Sequence, residues 1–186
     1  MNWFNEPPHW RMDSGILHVT TGEKTDFWRE THYGFIRDNG HFCFESADGD
    51  FTAEVLVAGD YQELYDQGGL MLRLDGRNWI KTGVEFVGGK RLLSCVVTRD
   101  VSDWSIVPAF EAPEQLRLRL TRQGTAVRVE WAPTESAAFE TLRLAYFPSP
   151  NPVQIGPMCC SPQRAGFEVR FEGFRVGPPL RRGLHD

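Results

Sequence analysis

Phe51-Thr52-Ala53-Glu54-Val55-Leu56-Val57 decides the fold. Phe51, Ala53, Val55 and Val57 take every second place and alternate with Thr52, Glu54 and Leu56, so the segment reads as a strand with one buried face. The same period of two returns in Leu70-Met71-Leu72-Arg73-Leu74, in Ile80-Lys81-Thr82-Gly83-Val84-Glu85-Phe86, and again around Leu118, Val129, Arg143 and Val169. Between these runs stand Asp38-Asn39-Gly40, Asp48-Gly49-Asp50, Asp75-Gly76, Gly88-Gly89 and Gln123-Gly124. Such residues tolerate the positive φ of tight turns, so the connections read as hairpins. No apolar stripe at helical spacing lasts beyond two turns, and Gln62 to Asp66 and Ser136 to Glu140 suit single turns only. About a dozen short strands, with no helices to cover parallel crossovers, predict an all-β, two-sheet antiparallel sandwich.

A chain of 186 residues predicts a single domain, here residues 1–176, followed by a tail at 177–186 where alternation is lost and fraying is expected. With 20 basic and 25 acidic residues the formal charge is -5, which argues against a nucleic-acid partner. The N-terminal Met1-Asn2-Trp3-Phe4-Asn5-Glu6-Pro7-Pro8 has no basic start or apolar core of a secretory signal. Charges, Gly or Pro cut every apolar run well short of the ~20 residues of a spanning helix, so no membrane partner is expected. Cys43, Cys95, Cys159 and Cys160 show no C-x-x-C spacing and read as reduced thiols of a cytoplasmic protein. His9, His18, His32 and His41 lack zinc-ligand spacing, and no phosphate loop or dinucleotide fingerprint occurs, so neither metal nor cofactor is expected.

Residues 61 to 105 concentrate polar, aromatic and small side chains in Tyr65-Asp66-Gln67-Gly68-Gly69-Leu70-Met71, Trp79-Ile80-Lys81-Thr82-Gly83-Val84-Glu85 and Ser102-Asp103-Trp104-Ser105. In this order the three motifs resemble those of the concanavalin A-like domain family that includes the fungal regulation-of-enolase protein. The likeness extends to Trp3-Phe4-Asn5-Glu6-Pro7-Pro8, to Thr25-Asp26-Phe27-Trp28-Arg29, and to Ser161-Pro162 with Gly166-Phe167-Glu168-Val169-Arg170-Phe171. The resemblance implies a jelly-roll sandwich of the lectin and glucanase type, with ligands expected on the concave sheet face. It implies no reaction.

Alternation tests that expectation. From Trp79 to Val87, Ile80, Thr82, Val84 and Phe86 share one face, while Trp79, Lys81, Gly83 and Glu85 share the other. Side chains two apart stand about 6.6 to 7 Å from each other, the scale of a sugar ring, and Gly83 is read as leaving room for a ligand. Only three of the 20 basic residues are lysines, Lys24, Lys81 and Lys90, so a lysine in mid-strand is a specific choice. Asp66 and Gln67 precede Gly68-Gly69, where a ligand can approach closely, and the Gln67 amide both donates and accepts. Arg73 adds a cation, while Asp103 and Trp104 are read as a loop that offers a carboxylate and a stacking platform. The plainer accounts are a solvated face carrying a Lys-Glu pair, an Asp66 that caps a turn, and core roles for Trp104 and Trp28.

Three functional readings follow. The first is a non-catalytic module that binds a carbohydrate or sugar-like metabolite through Asp66, Gln67, Arg73, Trp79, Lys81, Glu85, Asp103 and Trp104. The second is a cytoplasmic regulatory protein that docks a metabolic enzyme. The third is a carbohydrate-active enzyme with Glu85 as general acid or base, assisted by Asp66 or Asp103. The Glu-x-Asp-x-Glu arrangement common in retaining sandwich glucanases is absent.

Overall fold

The alternating segments form strands, and the computed structural model describes them over residues 2–108, 111–133, 137–150, 152–181 and 183. In chain order they are β1 (Asn2–Phe4), β2 (His9–Asp13), β3 (Ile16–Thr20), β4 (Phe27–Arg29), β5 (Ile36–Asp38), β6 (His41–Ala47), β7 (Phe51–Gly59) and β8 (Gln67–Arg73). They continue with β9 (Asn78–Val87), β10 (Lys90–Arg99), β11 (Val101–Val107), β12 (Gln115–Gln123), β13 (Ala126–Ala132), β14 (Glu140–Tyr146), β15 (Val153–Cys160) and β16 (Glu168–Gly177). One antiparallel sheet of seven strands runs β1-β6-β15-β8-β9-β10-β11 and the other runs β14-β13-β12-β7-β16-β3-β2. The chain crosses from sheet to sheet between β6 and β7 and returns between β7 and β8, as a jelly-roll sandwich requires.

The main core lies between the sheets. Ala53, Val55 and Val57 of β7 and Leu116, Leu118 and Leu120 of β12 meet Leu70, Leu72, Ile80 and Val84 from the other sheet. Each such apolar side chain contributes about 1.5–3 kcal/mol when fully buried.

A second core covers the far side of the first sheet. Met71, Trp79, Val96, Met158 and Phe42 pack there against Phe27 and Trp28 of the small β4–β5 hairpin. This hairpin and the turns beside it form a flap. Thr25 N donates to Ser161 O at 3.1 Å and Ser161 N donates back to Thr25 Oγ1 at 2.9 Å, while Arg29 N donates to Ser102 Oγ on β11 at 2.9 Å.

Two expectations need correction. Ser102 to Ser105 is not a loop but part of β11, where Thr98↔Ser102 and Val96↔Trp104 pair in register. Gly83 does not open space for a ligand. It faces Gly69 across β8 and β9, and a Cβ added at Gly69 would lie 1.9 Å from Thr82 O, one at Gly83 2.1 Å from Gly68 O. The glycines are there because the two backbones leave no room for a side chain.

The tail read as frayed is tied back in its described part, with Leu180 N donating to Thr52 Oγ1 at 2.9 Å and Arg128 Nη1 to Gly183 O at 3.1 Å. Gln62 to Asp66 forms a turn, closed by Asp66 N to Glu63 O at 3.0 Å, and Ser136 lies outside the described residues.

Candidate functional site

Under the flap the first sheet opens into a pocket of about 210 Å³. Its floor comes from side chains on one face of adjacent strands. Gln67 of β8 lies directly opposite Glu85 of β9, and Lys81 stands four residues before Glu85 on the same face. Lys81 Nζ sits 3.1 Å from Asp26 Oδ1 on the flap. Trp104, brought over the sheet edge by β11, donates its indole N–H to Glu85 Oε2 at 2.9 Å and to Ser94 Oγ at 3.2 Å.

The walls are aromatic. Trp28, Tyr33 and Phe35 come from the flap, and Tyr65 and Trp104 from the sheet side. Tyr33 and Phe35 stack with centroids 5.2 Å apart, whereas Tyr65 meets Trp104 edge-on at 6.4 Å. The Tyr33 and Tyr65 hydroxyls join flap to sheet at 2.9 Å. Tyr65 holds a φ of +67°, an uncommon conformation for a bulky residue that this surrounding structure imposes.

Burial sets the electrostatics. Lys81 is 4% exposed and Glu85 6%, so both charges are taken out of bulk water rather than lying on a solvated face. Burial opposes the charged form of Lys81, but the nearby carboxylates of Asp26 and Glu85 outweigh it and hold its pKa above the ordinary lysine value. Glu85 moves up for a different reason. Its burial outweighs the attraction of Lys81 and the hydrogen bonds of Ser94 and Trp104, because the direct partner of Lys81 is Asp26. The hydrogen bond to Tyr33, then burial, pushes the Tyr65 hydroxyl up to about 12. Gln67 is 6% exposed, and the face it does expose lines the cavity. An amide that both donates and accepts, set in a pocket lining, is the sort of group that a polar ligand engages.

Of the eight residues singled out in the sequence, Gln67, Lys81, Glu85 and Trp104 converge on this pocket. The other four are engaged elsewhere. Trp79 is 1% exposed in the second core, 6.2 Å from the Phe27 ring, where it supports the flap from below. Arg73 makes two 2.9 Å hydrogen bonds to Asp38 and lies 4.3 Å over the Phe4 ring. Asp66 is fully buried, accepting from Ser161 Oγ and Arg164 Nη2 at 2.7 Å each and from the backbone N–H groups of Gln62 and Glu63. Asp103 falls on the opposite face of β11 from Trp104 and pairs with Arg143 at 3.5 Å.

Asp26, Tyr33, Phe35 and Tyr65 were not singled out. Their signal in the sequence is the run of Phe27, Trp28, Tyr33 and Phe35 outside any alternating strand, an aromatic density with no sheet face to serve.

A wider groove of about 570 Å³ crosses the second sheet past His9, Trp10, His18 and Arg170. It is bounded by β2, exposed along its whole length. Among the described residues, no group of three His, Cys, Asp or Glu side chains is placed to hold a metal ion.

Comparison with known proteins agrees with this architecture. A family model described as "Protein of unknown function (DUF1349)" matches residues 3–179. "Regulation of enolase protein 1" from Saccharomyces cerevisiae is 40% identical over 184 residues, 99% of this chain and 92% of the relative. A crystal structure titled as a functionally unknown protein from Saccharomyces cerevisiae superposes with a TM-score of 0.93 at 39% identity, covering 97% of each chain. The GH43 protein BlXynB from Bacillus licheniformis matches with a TM-score of 0.70 at 15% identity, over 92% of this chain and 35% of that one. At that identity the likeness concerns the fold.

Proposed function

The chain belongs to the family described as Protein of unknown function (DUF1349), and from that premise we propose that it is a binding module for a carbohydrate or sugar-like metabolite, seated between the flap and the first sheet. The observation that carries this reading is the convergence of Gln67, Lys81 and Glu85, polar side chains each no more than 6% exposed, on the floor of one open pocket. Beside the Gln67 amide, Lys81 and Glu85 supply further donors and acceptors, and the stacked Tyr33 and Phe35 supply apolar ring faces. The volume of about 210 Å³ is below the roughly 300–1,000 Å³ of drug-sized sites, which suits a ligand on the scale of one sugar ring. Asp66 and Asp103, the carboxylates assigned to assist Glu85 in hydrolysis, lie outside the pocket lining, which gives the enzyme reading less support. The four free, buried cysteines support a place in a reducing, cytoplasmic compartment.

Titration calorimetry against an array of neutral and charged monosaccharides, disaccharides and related metabolites tests the proposal. Binding tighter than about 1 mM that is weakened by Gln67→Ala supports it, and no binding at that level by folded protein overturns it.

A second reading, docking of a metabolic enzyme, draws on the printed name of the yeast relative and on the exposed Tyr33, Phe35 and Ile36 at the flap. A stoichiometric protein partner whose binding survives Gln67→Ala but fails on Phe35→Ser favours this reading over ligand binding.

A further inference from the structure

The same pocket has a charge pattern that narrows the ligand, on the reading that it binds a sugar-like molecule. Lys24, Arg37 and Lys81 line it against Asp26 and Glu85. Two of the three lysines of a chain with formal charge -5 therefore gather at one small opening. Within the site, Lys81 and Asp26 offset each other at 3.1 Å, and Glu85 Oε2 already receives the indole N–H of Trp104. What remains is mostly donor. Arg37 is exposed at the mouth, where its guanidinium sits 5.4 Å from the Phe35 ring centroid. The Lys24 ammonium pairs with the neighbouring Glu23 at 3.6 Å, with both side chains about two-thirds exposed, a pair that water screens heavily. Deeper in, Gln67 offers two amide N–H groups.

We propose that the ligand is a sugar acid. Its carboxylate is received at the pocket mouth by the Arg37 guanidinium and the Lys24 ammonium, a charge-assisted contact for which Arg is well shaped. Its hydroxyls reach Gln67, Lys81 and Glu85 on the floor. A ligand bearing an ammonium group would instead bring a like charge to Arg37 and Lys24, despite the attraction that the aromatic walls offer it.

Three ring-matched probes decide the point: glucose, glucuronate and glucosamine, titrated calorimetrically into the wild-type protein and into Arg37→Gln and Lys24→Gln. Both substitutions are at exposed positions, and unchanged melting temperatures confirm that the variants are folded. The expected result is glucuronate binding about tenfold or more tighter than glucose, glucosamine weakest, and most of the glucuronate advantage lost in Arg37→Gln while glucose binding holds. Glucose or glucosamine binding as tightly as glucuronate overturns the sugar-acid assignment and leaves the broader carbohydrate reading standing. An Arg37→Gln and Lys24→Gln pair that keeps the full advantage also overturns it. Binding by none of the three overturns the assignment, and the wider array then decides the reading beneath it.

Discussion

Arg73 on β8 and Asp38 at the end of the flap face each other through two parallel hydrogen bonds of 2.9 Å, so the cation that reads as a ligand group in the sequence fastens the cover of the pocket. Arg73 is 5% exposed, and removing its partner leaves a buried charge without compensation. Asp38→Ala is expected to cost about 3 kcal/mol, toward the lower end for a broken buried pair because Asp38 is partly open to water. Urea unfolding reads the loss. A change below about 0.5 kcal/mol, the scale of an exposed pair, contradicts the fastening role.

Lys81→Ala should destabilise for a related reason. It strands Asp26 and Glu85 together under the flap, and a loss of about 2–4 kcal/mol is expected against less than about 0.5 kcal/mol for Lys24→Ala on the exposed rim. In a protein of this size that separates the two melting temperatures by roughly 5–15 °C. Equal melts for the two variants would show Lys81 to be solvated.

The pH dependence has the same sign for the two floor groups, stability falling as pH rises, but in different windows. The folded pKa of Lys81 is raised, so its stabilising contribution is complete below 10.5 and fades as pH climbs through the folded value. The folded pKa of Glu85 is also raised, so the unfolded carboxyl ionises first, near 4.5, and the folded state is penalised progressively above that. Denaturation midpoints should accordingly show Glu85→Gln gaining on wild type between acid and neutral pH. The deficit of Lys81→Met should narrow in alkali. A Glu85→Gln difference that does not vary with pH would show that its carboxyl is not perturbed by folding.

Tyr33→Phe removes the hydroxyl that raises the Tyr65 pKa to about 12, so ultraviolet titration should find Tyr65 ionising closer to the ordinary value of 10. No movement would mean that flap and sheet do not share this bond in solution.

Gly69→Ala and Gly83→Ala each push a Cβ to within about 2 Å of a carbonyl oxygen on the facing strand. Strand separation is the only relief, so losses at or above the roughly 1–3 kcal/mol of ordinary overpacking are expected, with poor soluble yield. Gly88→Ala, with nothing within 4 Å but a φ of +61°, should cost about 1 kcal/mol from backbone strain alone. Calorimetric melts of the three variants compare the two mechanisms.

Strands with a clean period of two, such as Phe51 to Val57, were legible because their burial pattern is local. The flap was not. Its cover over Trp79, Lys81 and Glu85 arises from Asp26, Trp28 and Asp38, whose ties to the sheet run to residues far along the chain, so a face that alternates as polar looked like a solvated one. The same blindness made Asp66 look like a ligand group, since its partners Ser161 and Arg164 lie nearly a hundred residues on. Trp104 was legible as a candidate but not as a strand residue, because a sheet edge needs only one paired side and its outer positions are free to be polar.

The fastenings of the flap also set an order of events for the newborn chain. Arg73 follows Asp38 by 35 positions, Lys81 follows Asp26 by 55, Ser102 follows Arg29 by 73 and Ser161 follows Thr25 by 136. Each closure waits for its later partner to be synthesised, and the widest loop is the costliest in entropy to close. On a ribosome the flap therefore gains its holds one after another. A chain stopped short of Ser161 contains Gln67, Lys81 and Glu85 but lacks the last tie that secures the cover above them.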